Sequence, residues 1–413
     1  MPYKHLDGGN TFIERAFYYD ARGRLIQTVE KNLLGTSRYS TVYDFMGNVL
    51  VAHEWHAVTG GNSYEVRNDN TYDHRNRLLS TTTTFGNQTA RVRYAYDELG
   101  RMTGRQYGEG AGAFPSVTGY NIQGWMTSQK SPHFRTELTY FQNGVQSYTG
   151  NILQAKSVMP TSLDEVDRRV QTYNYSYDKF GRILSGFNSE GYSESLIKQG
   201  MTGASAYDLN GNIQYMRRFD QGDAAANYTY HYTGNKLTAL QDHSLATSAT
   251  FTYDRNGNLI IDQRKGLEFK YNLLNLVSEV TAIASGDDKA TYSYSADGMK
   301  LRVRGSAGDG YDYLGSLTLV RGDGGSLNGI EILFAGGQFK DGEVMYFEAD
   351  HLGSVRAVIN SDGETLATNN YMPFGSRHTG GMRDDNIRYK FNGKEEQTTG
   401  ALNLLDYGAR MYD

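Results

Sequence analysis

The chain has 413 residues, with 41 Lys and Arg against 46 Asp and Glu, and its net charge of −5 comes without a basic block, which argues against a nucleic-acid-binding surface. It holds 48 glycines, 5 prolines, 33 tyrosines and no cysteine, so disulfide scaffolds, thiolate zinc sites and cysteine catalysis are excluded. No apolar run approaches the ~18 residues of a membrane helix. Many glycines beside so few prolines suit frequent turns joined by strands whose ladders need every N–H. Tyrosine standing in for aliphatic residues predicts a sheet wetted on one side rather than one thick, dry core.

At the start (MPYKHLDGGN) there is no apolar stretch of the kind that makes a signal peptide. From Tyr19 onward one pattern recurs: Tyr, Asp or a substitute, two variable residues, Gly, a polar residue and an aliphatic one. Clear copies begin at Tyr19-Asp20 (with Gly23), Tyr96-Asp97 (Gly100), Tyr177-Asp178 (Gly181), Tyr207-Asp208 (Gly211) and Tyr253-Asp254 (Gly257). Relatives begin at Tyr43, Tyr72, Tyr120, Tyr271 and Tyr294, with shortened copies at Tyr148 and Tyr232. Consecutive tyrosines of the series are 18 to 30 residues apart.

Asp at the first corner and Gly three residues later specify a type I β-turn, the carboxylate bonding nearby backbone N–H groups. Asn76 and Asn275 occupy the Gly position, and Asn is the residue that best tolerates a left-handed conformation after Gly. The flanks alternate as half-buried strands do, with Val92, Tyr94 and Tyr96 on one face and Arg91, Arg93 and Ala95 on the other. Each unit is therefore a β-hairpin. Twelve of them give about 24 strands, which at ~4.8 Å apart would span roughly 115 Å. Open twisted sheets rarely exceed ~10 strands without curling. The expected fold is all-β: an antiparallel hairpin meander coiled into a spiral, hollow, cocoon-like wall, incomplete in this chain.

After Ser306 the pattern fades, and residues 306–413 form a second region beside the repeat region 1–305. Asp362-Gly363 predicts one more tight hairpin, and Pro373-Phe374-Gly375 a turn. Candidate chemistry is sparse. His53 and His56 lie three apart in strand-like text, so their imidazoles point to opposite faces. Gly108-Glu109-Gly110 lacks the helix start of a dinucleotide loop. Arg321-Gly322-Asp323, an adhesive tripeptide in other contexts, sits in a glycine-rich turn. Asp350-His351 invites a general-base reading, but no G-x-S-x-G elbow accompanies it and a turn role is favoured. Glu395-Glu396 and Asp384-Asp385 are expected to be solvated loop charge. The tyrosines can stack on sugars, but their placement at every hairpin favours packing across strands.

The tyrosine-aspartate units resemble the YD repeats of the Rhs family. Residues 349–413 resemble its Rhs-associated core domain, in the version common in Bacteroidetes. The matching pieces are Asp350-His351-Leu352-Gly353, Tyr371-Met372-Pro373-Phe374-Gly375, Phe391-Asn392-Gly393-Lys394-Glu395 and Asp406-Tyr407-Gly408-Ala409-Arg410. The resemblance implies an exported, secreted or cell-surface shell that encloses or displays a C-terminal toxin polypeptide. Partners are then the rest of its own polypeptide or a co-assembled shell or toxin segment, with no cofactor and no metal. The self-cleavage segment and toxin that follow the core in many members lie beyond Asp413, so an enzymatic role is not carried over. The alternative is a surface module for glycans or adhesion, and a third class, a polysaccharide lyase on a parallel solenoid, conflicts with a turn inside every unit.

Overall fold

The computed structural model describes residues 3–4, 12–142, 144–160, 168–198, 206–378 and 387–413. A single 32-stranded sheet runs from Tyr3–Lys4 to Thr365–Thr368, each strand antiparallel to the next along the chain. No α-helix occurs among the described residues. The ladder passes through Arg304 and Gly310 without a break, and among the described residues the sheet does not close on itself.

The unit corner explains both the hairpins and their curvature. At Asp97 the N–H of Gly100 donates to the Asp97 carbonyl (3.0 Å) and the N–H of Asp97 donates to the Arg101 carbonyl (3.0 Å). The carboxylate accepts the Arg101 N–H (2.9 Å) and its Nε (2.7 Å). Asp20 and Asp178 repeat this with Arg24 and Arg182, and Asp254 with Asn258. Gly100 has φ +85° with nothing within 4 Å of the place a Cβ would take, so conformation rather than crowding demands glycine. Asn76 and Asn275 adopt the same left-handed geometry, at φ 61° and 59°, as their position in the repeat requires.

Past each corner the ladder slips by one residue. Tyr96 pairs with Met102 while Ala95 pairs with Gly104, so Thr103 is an inserted bulge residue. The slip recurs at Tyr19, Tyr43, Tyr72, Tyr120, Tyr177, Tyr232, Tyr253, Tyr271 and Tyr294. A bulge bends its strand and increases right-handed twist. Repeated at the same rim of these hairpins, it bends the strip in one sense.

The tyrosine then stitches each hairpin to the one before. Tyr96 Oη donates to the carbonyl of Leu78 (2.9 Å), the aliphatic residue that ends the preceding unit. The guanidinium of Arg77 lies 4.9 Å from the Tyr96 ring centre, and its Nη1 donates to the Asp97 carbonyl (3.1 Å). Tyr43, Tyr72, Tyr120, Tyr177, Tyr207 and Tyr271 bond in the same way to Leu25, Val49, Met102, Ile152, Ile183 and Leu259. Tyr148 does not take this place: it is exposed, and Tyr140 bonds to the Met126 carbonyl instead (2.8 Å). The cause is a small hairpin, Phe141–Gln142 with Val145–Gln146, inserted between the tyrosine and the rest of its corner.

The coiled strip returns on itself. Tyr64, Val66, Ala90, Val92, Tyr107 and Phe114 of the early strands form one apolar layer with Leu317, Ile332, Phe339, Tyr346 and Ile359 of the late ones. Polar ties hold the two together: Ser316 donates to Glu54 (3.0 Å), and Arg15 pairs with Asp297 (3.0 Å). The remaining apolar side chains are dispersed over four smaller clusters, in keeping with the thin aliphatic supply.

A substitution pair separates conformation from contact at the corner. Gly100→Ala is expected to destabilise the protein by about 1–2 kcal/mol through left-handed strain alone, while Asn76→Gly stays within about 0.5 kcal/mol of the natural chain. Urea unfolding of both variants, followed by far-ultraviolet circular dichroism, measures the difference.

Candidate functional site

The core motifs turn out to be further corners. Asp350 accepts the N–H groups of Leu352 and Ser354 (both 3.0 Å), and the N–H of Gly353 donates to the Asp350 carbonyl (2.9 Å). Gly375 closes on Met372 and Gly393 on Lys390 in the same geometry (2.8 and 3.1 Å). Tyr371 makes the stitch bond as well, from Oη to the Val355 carbonyl (3.1 Å). The region after Ser306 thus keeps the repeat's backbone while losing its Tyr-Asp spelling.

These corners pack against the earlier wall. Pro373 lies against Gly186, where a Cβ would fall 2.4 Å from its Cγ. The Phe374 N–H donates to the buried carboxylate of Glu194 (2.7 Å), whose other oxygen holds Arg218 at 2.6 Å. Phe374 itself packs on Leu184, Leu196, Ala206 and Met216. Gly375 faces the Phe391 ring, which any larger residue would strike at 2.5 Å. His351 occupies the second corner position and is exposed. The Asp350 carboxylate is spent on its turn and on Arg356 (3.5 Å).

Glu395-Glu396 are not solvated loop charge. Lys300 Nζ sits between Glu395 (2.8 Å) and Asp406 (2.7 Å), Tyr313 Oη donates to Glu395 (2.7 Å), and Arg388 joins Glu395 to Glu331. Arg377 approaches Glu396 at 3.9 Å. This network fixes the three-stranded sheet Glu395–Gln397, Leu404–Asp406 and Met411–Tyr412 against the wall, which loop-like spelling had concealed. Gly408 and Arg410 lie in the exposed turn between its last two strands, where the Gly408 N–H donates to Asp406 (2.7 Å). Asp384-Asp385 lie outside the described residues.

The other singled-out groups have local partners. His53 meets Glu65 (2.6 Å) on one face of its strand, and His56 is buried against Ser37 (2.8 Å) on the other. Arg321 of the Arg-Gly-Asp triplet is held by Asp312 (2.8 Å), which also binds Arg302 and Arg304. Among the described residues, no group of three or more His, Asp or Glu is placed to hold a metal ion.

One residue of the junction carried no sequence signal. Glu348 is 0 % exposed, on a late strand, and its Oε1 accepts from Ser116 (2.6 Å) and Gln129 (2.5 Å) of two early strands. Its Oε2 has no hydrogen-bond partner. Burial pushes this carboxyl up to about 7, although the Ser116 and Gln129 bonds and the Arg105 charge pull it down. Only the alternation of Glu343–Ala349 hinted at it, by placing an acid on the same side as Tyr346.

Comparison with known proteins agrees with this architecture. The RHS Repeat family matches residues 72–111. No curated protein matches by sequence. The crystal structure of TcdB2-TccC3 superposes with a TM-score of 0.63 at 17% identity, over 97% of this chain and 25% of that one. TcdB2-TccC3 without its hypervariable C-terminal region gives 0.63 at 16% identity, over 97% and 24%. A Photorhabdus luminescens Tc holotoxin pore gives 0.62 at 16% identity, again over 97% and 24%. The chain therefore spans about a quarter of the length of these structures.

Because Glu348 is held above its ordinary carboxylate value, its contribution is complete below that ordinary range and is lost as pH rises through about 7. Glu348→Gln is expected to flatten the fall in stability between about pH 5 and about pH 7, a difference of roughly 1–3 kcal/mol, read from thermal midpoints across that range. The corner that repeats along this wall carries the match to the RHS Repeat family at residues 72–111, and the chain shares its fold with TcdB2-TccC3.

Proposed function

We propose that this chain is a structural wall segment of an Rhs-type shell, non-enzymatic and exported, that encloses or displays a partner polypeptide. The observation that carries this reading is the wall itself: 32 antiparallel strands, bent at every corner and folded back so that late strands cover early ones. Such a surface excludes a protease or a partner by steric continuity, since its backbone groups are spent on one another. In this reading residues 1–305 are the repeat wall and 306–413 the core segment that lines and braces it. The repeat residues Tyr96, Asp97 and Gly100 and the core residues Asp350, Gly375 and Glu395 then act by shaping the wall, not by chemistry on a substrate. The TcdB2-TccC3 fold supports the shell assignment, and the packing of Tyr107, Tyr192 and Tyr292 inside the wall supports a structural use of tyrosine over sugar stacking.

Limited proteolysis of the natural gene product, with peptide mass mapping, tests containment. The wall strands and any polypeptide joined to them are expected to survive together at protease doses that clear exposed termini. A joined polypeptide that is digested first, while the wall stays intact, would overturn containment.

A further inference from the structure

We infer that the rim of the wall that carries the Tyr-Asp corners is a peripheral membrane-binding edge, whose turn tips enter the headgroup region of an anionic lipid surface. This goes beyond the wall reading and does not depend on containment, which the proteolysis above tests separately.

Successive strands are antiparallel, so turns alternate between two rims and the Tyr-Asp corners all fall on one of them. They stand side by side there. Arg24 bonds the Asp44 carbonyl (2.8 Å), Asn48 bonds Asn76 (2.8 Å) and Arg77 bonds the Asp97 carbonyl (3.1 Å). Further along the rim, the Arg182 guanidinium lies 4.2 Å from the Tyr207 ring centre and Asn258 bonds Asn275 (2.8 Å).

The tips of these corners are apolar. Phe45, Leu99, Ile122, Phe180, Leu209 and Leu273 occupy middle positions of their turns, and each is at least 78 % exposed. A type I turn accepts almost any residue there, so the backbone does not call for them. Packing does not call for them either, since none belongs to an apolar cluster of the wall. The opposite rim is spelled differently. Its turns read Gly60-Gly61-Asn62, Gly86-Asn87, Ser189-Glu190-Gly191 and Gln221-Gly222, with Leu245 and Ile283 as exposed apolar exceptions.

Charge selects the occupant. The chain carries a net charge of −5, yet the middle positions of the same corners hold exposed Arg22, Arg75, Lys179 and Arg255 against Glu98 and Asp297. Asp297 is paired with Arg15 (3.0 Å). The corner aspartates do not offset these cations, because Asp20, Asp73, Asp97 and Asp178 are spent on turn N–H groups and on Arg24, Arg77, Arg101 and Arg182. Apolar tips interleaved with cations suit the boundary between hydrocarbon and anionic headgroups. Spacing points the same way. Adjacent corners are two strands apart, roughly 10 Å, so each tip is a separate projection rather than part of one patch. A folded protein would need a pocket in register for every tip, whereas a fluid lipid surface needs none.

Flotation of the intact chain with phosphatidylcholine vesicles, plain or mixed with phosphatidylglycerol, tests the proposal. Saturable association with the mixed vesicles is expected, weaker by about tenfold or more on phosphatidylcholine alone. Leu99→Ser, Phe180→Ser and Leu209→Ser together should weaken it by about tenfold or more. Lys179→Gln with Arg255→Gln should remove most of the preference for phosphatidylglycerol, and Leu245→Ser on the opposite rim should change nothing. Because the chain has no cysteine, Leu209→Cys and Leu245→Cys can each carry an environment-sensitive fluorophore. Its emission should shift to the blue on mixed vesicles at position 209 and stay unchanged at 245. No flotation of a chain with native circular dichroism overturns the membrane edge and leaves the wall reading standing. Flotation indifferent to the triple substitution, or equal shifts at both labels, overturns it too. If the chain alone sediments as an assembly that the triple substitution dissociates, the tips belong to a contact between copies and the proposal fails.

Discussion

The wall depends on how one aspartate is used. Its carboxylate gathers two backbone N–H groups and a neighbouring side chain, which leaves a left-handed residue and an inserted bulge as the cheapest way back into the ladder. Asp73 shows the strength of this arrangement: the Arg77 N–H, the Arg77 guanidinium and the Arg75 N–H hold its carboxyl at about 2. Because the bulge always falls at the same rim, a local turn becomes a global curvature. No apolar core is required to set that curvature, which is why a chain with so few aliphatics can still build a large ordered surface.

Curvature alone would leave a ribbon with soft joints. The tyrosine and the residue before each aliphatic remove that freedom, since hydroxyl, ring and guanidinium bind each hairpin to its predecessor. The junction between early and late strands adds a different kind of tie. There, Glu194 caps the Phe374 N–H, Pro373 fills the space left by Gly186, and Glu348 bridges two strands more than two hundred residues upstream. The rim is uniform and repeats; the junction is specific and does not.

That contrast explains what the sequence made visible. Asp-x-x-Gly at regular spacing announced the turns, and alternation around Val92 and Tyr94 announced the strands, because both are local consequences of backbone geometry. Tyr148 was misplaced for the same reason: spacing cannot show that a small hairpin has been inserted and that Tyr140 does the packing. Glu395 looked like loop charge because its partners, Lys300, Tyr313 and Arg388, come from strands distant along the chain. Glu348 had no local mark, since burial by a strand from the far end of the chain is a property of the coil.

The account stands or falls on that coil, and the absence of cysteine allows clean paired labelling for a distance measurement. Spin labels at Asn87 and Asp341 would sit on two exposed turns that meet where Gln88 donates to the Gly342 carbonyl. Electron–electron resonance should report a short separation typical of touching turns. A ribbon that did not bend at its corners would hold the same two positions on the order of 100 Å apart, and a long distance of that kind would contradict the account.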